Sequence, residues 1–204
     1  MDDIRTITLP MTPEVARSLK LGEMIYLDGQ INATAGIPTH ARILDHIDRG
    51  EALPVDLNRA AFFHLGSYSE EADGKFDVLY MNPTTSTRFN PVMPRIIREL
   101  DLACVGGKGG LDAECARALK DVGGVYLSFL GGGCPLLSAS IRQVVKVAWQ
   151  DMISHYRLVV LEVERLGPLT VAIDAEGNSL YDNLANDAQA RRADVLAKLA
   201  AARG

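Results

Sequence analysis

The sequence predicts a layered α/β or α+β domain, on three observations. Strand-like and helix-like periods alternate along the whole chain, so neither element dominates. Clean strand–helix–strand alternation is confined to the middle, from about Phe76 to Trp149, while the ends read as hairpins, which disfavours a uniform doubly wound sheet. Hydrophobic residues make up 48% and charged residues 23% of the 204 residues, the balance of a chain that buries a real core. A single domain over 1–204 is therefore expected, with a helical tail at about 184–204.

Thr12-Pro13-Glu14 opens a short helix ending near Lys20, with Thr as N-cap and Pro at the first helical position. Met24, Tyr26 and Asp28 alternate with Ile25 and Leu27 in a half-buried strand over 23–31. Pro38 begins a helix with Ala41, Leu44 and Ile47 on one face, closed by Gly50. Strands are expected at 60–65 and 76–81, separated by a polar turn over 67–74. A helix over 92–100, a buried strand at 102–105, an amphipathic helix over 111–122 and a strand at 125–130 follow. Pro135 is expected to start a helix running to about Met152. Strands at 158–163 and 169–174 come next, the second pairing with Ser179–Tyr181 through Ala175-Glu176-Gly177-Asn178. The Ala-rich run Leu184–Ala202 is built of good helix formers and is expected to pack on the chain's own core.

Composition removes several functions. Lys and Arg number 21 against 26 Asp and Glu, a net charge of −5, which leaves no cation excess for a nucleic-acid surface. The acidic start Met1-Asp2-Asp3 has no apolar leader pattern. The longest uncharged run, 122–141, contains five glycines and Pro135; it reads as strand, loop and helix, not as a membrane span. A cytoplasmic location is expected. Cys104, Cys115 and Cys134 are odd in number and form no C-x-x-C pair. They read as small buried hydrophobes in a reducing compartment, although three cysteines can in principle hold an iron–sulfur cluster. His40, His46, His64 and His155 make no paired zinc-ligand spacing.

Three strand-to-helix loops are candidates for chemistry. Asn82-Pro83-Thr84-Thr85-Ser86-Thr87-Arg88 gathers four hydroxyls and one guanidinium, suited to a carboxylate or phosphate, or simply to an N-capped turn. Val105-Gly106-Gly107-Lys108-Gly109-Gly110 places a lysine among glycines. That loop is not a phosphate-binding G-x-x-x-x-G-K-[ST] motif, since Gly109 follows Lys108. Leu130-Gly131-Gly132-Gly133-Cys134-Pro135 is the third, with a close backbone crossing as its plain explanation. In open α/β sheets ligands bind at the crevice such loops form.

The order of these motifs resembles the β subunit of iron–sulfur hydro-lyases: L(+)-tartrate dehydratase β subunits and the C-terminal domain of class I fumarate hydratases. The resemblance runs from Leu27-Asp28-Gly29-Gln30-Ile31 and Leu53-Pro54-Val55-Asp56-Leu57, through Pro83-Thr84-Thr85-Ser86-x-Arg88 and Gly107-Lys108-Gly109-Gly110. It continues to Val147-Ala148-Trp149 and Asp174-x-x-Gly177-Asn178-x-Leu180. It implies a single β/β/α swivelling-type domain that works against a cluster-bearing α subunit. The [4Fe–4S] cluster is then ligated by that partner, not by the three cysteines here. It also implies catalytic roles for Thr84 and Lys108, and substrate contacts at Arg88, Thr85, Ser86, Gly36 and His40. The implied reaction is the reversible dehydration of a hydroxy (di)carboxylic acid such as tartrate or malate.

One departure stands out. The family pattern T-x-R-D-x-x-H becomes Thr34-Ala35-Gly36-Ile37-Pro38-Thr39-His40, so Gly36 and Ile37 replace an Arg–Asp pair. Asn82 also replaces the usual Gly before Pro83. The expected consequence is a substrate whose second end is not the simple carboxylate of malate or fumarate. Two other readings remain at this point. One is a partner-independent carboxylate-binding or regulatory module that has lost catalysis; the other is an unrelated enzyme using the Lys108 loop for phosphate.

Overall fold

Alternation along the buried strands divides the molecule into two apolar layers. The structure, a computed structural model, describes residues 4–73 and 75–203. The acidic start Met1–Asp3, Gly74 of the expected polar turn and Gly204 of the tail lie outside the described residues. The strands are β1 (Arg5–Thr8), β2 (Met24–Ala33), β3 (Ala61–Phe63), β4 (Leu65–Ala72), β5 (Lys75–Pro83), β6 (Cys104–Gly107), β7 (Val125–Ser128), β8 (Ile141–Ala148) and β9 (Leu158–Ile173). The helices are α1 (Pro13–Ser18), α2 (Ile37–Arg49), α3 (Met93–Glu99), α4 (Ala113–Val122), α5 (Cys134–Ala139) and α6 (Leu180–Arg203).

A seven-stranded sheet has the order β1-β2-β3-β6-β7-β9-β8. Strands β1, β2, β3, β6 and β7 are mutually parallel where they pair. The long β9 runs antiparallel to both β7 and β2, so β2-β3-β6-β7-β9 closes on itself. Residues on alternate strand positions face opposite sides. Phe63, Leu65, Cys104, Val125 and Leu127 join the layer that includes α1, α5 and the β4–β5 hairpin. Phe62, Val105 and Tyr126 join Ile43 of α2, Ile96 of α3 and Leu119 of α4 on the other. The mixed α/β architecture expected from the sequence is thus the one observed.

Local signals held where they were chemical. Thr12 caps α1 through its hydroxyl, which accepts from the Val15 N–H at 3.3 Å, and Gly50 ends α2 in the left-handed region. Several elements depart from expectation. The polar turn over 67–74 is instead strand β4, paired with β5; Ser67 and Ser69 are its inward, buried positions and Tyr68 stacks on Tyr80 across the pair at 6.0 Å. The helix expected over 135–152 is only α5, followed by strand β8, because β-branched Ile141, Val144, Val145 and Val147 fit a pleated ladder against β9. The strands expected at 158–163 and 169–174 are one strand of 16 residues. The hairpin after Asp174 reduces to a single Ile173–Ser179 bridge, since Asp174 accepts from the Glu176 and Asn178 N–H groups and the chain turns into α6.

In α2 the buried side chains are Thr39, His40 and Ile43, with Ala41 exposed. β5 is absent from the parallel sheet, so the alternation expected from Phe76 lies in β3, β6 and β7 instead. The tail does form a helix, but not against the core: α6 buries no residue. Among the described residues no helix is long and apolar enough to cross a membrane. The uncharged run 122–141 is divided among the end of α4, β7, a glycine loop and α5.

Candidate active site

The parallel strands β2, β3, β6 and β7 end on one edge of the sheet, where chain polarity gathers their following loops. The Thr84–Arg88 segment, arriving from the β5 hairpin, is stitched into that edge by backbone. Thr84 N–H donates to His64 O at 2.9 Å and Lys108 N–H to Thr84 O at 3.0 Å, while Ser86 N–H donates to Lys108 O at 2.8 Å. Thr85 and Lys108 consequently face each other as a parallel bridge. Gly107 makes this approach feasible: a Cβ there would lie 2.2 Å from Ser86 Oγ and 3.1 Å from Thr84 O. Gly109 and Gly110 then turn the chain at φ +79° and +82°, a region that side chains with a Cβ disfavour. The Lys108 side chain extends toward the third loop, its Cδ standing 3.9 Å from where a Cβ on Gly131 would be.

Beneath this loop lies a buried polar chain. Tyr126 O–H donates to Ser86 Oγ at 2.8 Å, and Ser86 Oγ is 2.8 Å from His64 Nδ1. Ser86 thus links the Tyr126 hydroxyl to the His64 imidazole in one hydrogen-bonded chain. His40 Nδ1 donates to Gly36 O at 2.7 Å. Phe89, at the end of the turn that carries Arg88, lies against both rings, 4.1 Å from His40 and 4.3 Å from His64 between centroids. Burial pushes the His40 pKa down to about 4, and burial together with the neighbouring His40 holds His64 well below the usual imidazole value. Among the described residues neither Nε2 has a hydrogen-bond partner.

The structure therefore brings Thr84, Thr85, Ser86 and Lys108 together and sets Arg88 one turn beyond them. Arg88 is exposed, whereas Thr84, Thr85 and Lys108 are half-buried. Ser86 and His40 are fully buried, so each reaches the loop from below rather than from its open side. Gly36 is also buried, on the far side of the histidine–Phe89 stack. Its segment is clasped to Tyr156 O, which accepts from Thr34 Oγ1 at 3.1 Å and from Thr39 Oγ1. A Cβ at Gly36 would stand 2.8 Å from Tyr156 Cβ and 3.0 Å from Tyr156 Cα. Arg42 is engaged elsewhere, bidentate on Asp151 at 2.9 and 2.7 Å and over the Trp149 ring. Sequence reasoning gave no role to His64, Tyr126 or Tyr181. For His64 the available signal was a histidine inside an apolar strand run, while nothing in the sequence tied Tyr126 or Tyr181 to the Lys108 loop; Tyr181 donates to Ser128 Oγ at 3.1 Å.

The thiols do not suit an iron–sulfur cluster. Cys104 and Cys115 lie in opposite core layers, and burial pushes the Cys104 thiol up to about 12 and raises that of Cys115 as well. Cluster ligation needs thiolates, which such sites oppose. Among the described residues no three His, Cys, Asp or Glu side chains are grouped to share a metal ion. A separate cleft of about 380 Å³, lined by Gln30, Asp56, Arg59 and Glu162, lies at the opposite edge, where β3 begins.

The chain matches a family model described as the fumarase C-terminus over residues 2–184. It is 34% identical to a Methanocaldococcus jannaschii protein provisionally named L(+)-tartrate dehydratase subunit beta, over 85% of this chain and 89% of that relative. It is 28% identical to the L(+)-tartrate dehydratase subunit beta of Escherichia coli, over 86% of each. A Geobacillus stearothermophilus protein provisionally named class I fumarate hydratase is 32% identical over 88% of this chain, which spans 34% of that longer relative.

Two predictions follow from this geometry. Gly36→Arg costs stability by about 1–3 kcal/mol through overpacking against Tyr156, read as a lowered thermal midpoint, and adds no dicarboxylate affinity; an unchanged midpoint with tighter dicarboxylate binding contradicts the packing described. The two depressed histidines bind protons less readily when folded than when unfolded. Stability is therefore complete above the ordinary value of 6.5 and falls as pH drops toward about 4, by about 1.4 kcal/mol per pH unit for each histidine. Urea midpoints should be lower at pH 5 than at pH 7, and a midpoint that holds or rises is the opposing result.

Proposed function

The chain belongs to the fumarase C-terminus family, and from that premise we propose that it acts as a hydro-lyase β subunit whose Thr84–Arg88 and Lys108 loops form the carboxylate-holding half of an active site. The observation that carries this reading is the backbone stitching of Thr84 and Ser86 to Lys108, which fixes hydroxyls and a cation on one open edge. The substrate is a small hydroxy acid. In its dehydration a proton leaves the carbon beside a carboxylate, hydroxide leaves the neighbouring carbon, and a C=C bond forms; hydration is the reverse. Negative charge builds on the carboxylate as the C–H bond breaks. Arg88 and Lys108 hold that group and stabilise the charge, with positions set before reaction. Thr84 uses both backbone groups in the stitching, leaving its hydroxyl as the group it offers to the substrate. Ser86, His64 and His40 act as supports from below.

An open edge needs a second surface to exclude water, and a β subunit obtains it from its partner. That partner, on this reading, is an α subunit carrying a [4Fe–4S] cluster, and the cluster's ligands are its own. The complex works in the cytoplasm. The filled space at Gly36 supports a substrate whose far end is uncharged, bulkier or differently placed than that of malate. With the cluster-bearing partner co-expressed, Lys108→Met and Arg88→Met are each expected to lower turnover by about 100-fold or more, followed by ultraviolet absorbance of the unsaturated product across tartrate, malate and monocarboxylic hydroxy acids. Assembly should survive both changes. Wild-type turnover in either variant, or no dehydration of any hydroxy acid by the wild-type complex, overturns the reading.

A further inference from the structure

We infer that α6 is a self-association element that pairs antiparallel with α6 of a second copy of this chain. The helix is 24 residues long and buries none of them, and a helix of this kind gains most of its stability from a covered apolar face. Its large apolar side chains are exposed: Leu184 by 68%, Val195 by 51%, Leu196 by 50% and Leu199 by 49%. At about 3.6 residues per turn these four fall, with Ala188, on one arc of about 120°. Tyr181 anchors the helix start, its ring filling the space beside Gly110 and its hydroxyl on Ser128, while the remainder leaves the domain. The family-model match ends at residue 184, so the stripe starts at its last matched residue, Leu184, and Ala188, Val195, Leu196 and Leu199 follow it.

Charge distribution selects the second copy and its direction. Residues 180–189 carry Asp182 and Asp187 and no base; residues 190–203 carry Arg191, Arg192, Lys198 and Arg203 against a single acid, Asp194. Parallel pairing sets like charge on like, whereas antiparallel pairing lays each acidic half on a basic half. One antiparallel register places Leu184 opposite Leu196 of the second copy and Ala185 opposite Val195. It also sets Ala188 opposite Arg192, the one cation interrupting the stripe, whose aliphatic stem lies over the small alanine while its head reaches water. Asp187 and Arg191, already 3.0 Å apart within one helix, share a flank and can pair across the interface.

The test is sedimentation velocity on the full chain, alone and bound to the cluster-bearing partner, for wild type and Leu196→Glu/Leu199→Glu. The wild-type chain should self-associate at micromolar concentration in both settings. The double variant should raise the dissociation constant by about a hundredfold with the β-sheet circular dichroism unchanged, since both side chains are exposed in one copy. Pairing should also weaken with salt. A wild-type chain that stays monomeric, a variant that associates as well as wild type, or an α6 protected from hydrogen exchange only when the partner subunit is added overturns the inference. Neither result bears on turnover, so this inference and the hydro-lyase reading stand or fall separately.

Discussion

A missing side chain at Gly107 is the constraint on which the candidate site depends. The Lys108 loop and the Thr84–Arg88 segment share backbone hydrogen bonds in both directions, at 3.0 and 2.8 Å. Strands that exchange bonds so closely tolerate a small residue where a third group must enter, and here that group is the Ser86 hydroxyl. Once seated, Ser86 carries the Tyr126–Ser86–His64 chain beneath it. The hairpin from which Thr84 comes is outside the main sheet, so this stitching is what converts two independent loops into one surface.

The buried histidines make that surface rigid without bringing charge under it. Both rings are kept neutral by burial and pack on Phe89, whose turn also carries Arg88. Cations are therefore confined to the open side, where Lys108 and Arg88 stand. The Gly36 segment is locked by the opposite device, two threonine hydroxyls on one carbonyl of Tyr156. The substitution read as a lost cation in the sequence is thus also a packing adaptation: the space an arginine stem needs is occupied.

Much of this was visible in the chain itself. Helix starts and stops came from single chemical events such as the Thr12 cap and Gly50. The Thr84–Arg88 and Lys108 loops stand out by their own residues, and their order along the chain carries the resemblance. What was hidden depended on contacts distant in sequence. Serines at 67 and 69 look like a turn until the β4–β5 hairpin buries them, and Ile141–Ala148 chooses strand over helix only because β9 is there to pair with it. His64 was a histidine without a partner in the sequence, 22 residues from Ser86. The exposure of α6 could not be read from an Ala-rich run, because the same composition fits a core helix.

The most direct measurement is a crystal structure and a turnover assay of Gly107→Ala within the complex formed with the proposed partner subunit. The sheet should persist, while Ser86 and the Thr84 backbone shift away from Lys108 and turnover falls by about a hundredfold, the scale of a loss from displacement near 1 Å. A variant that keeps the Thr84–Lys108–Ser86 bonds in place, or that loses them and still turns over at the wild-type rate, would contradict the claim that this stitching makes the site.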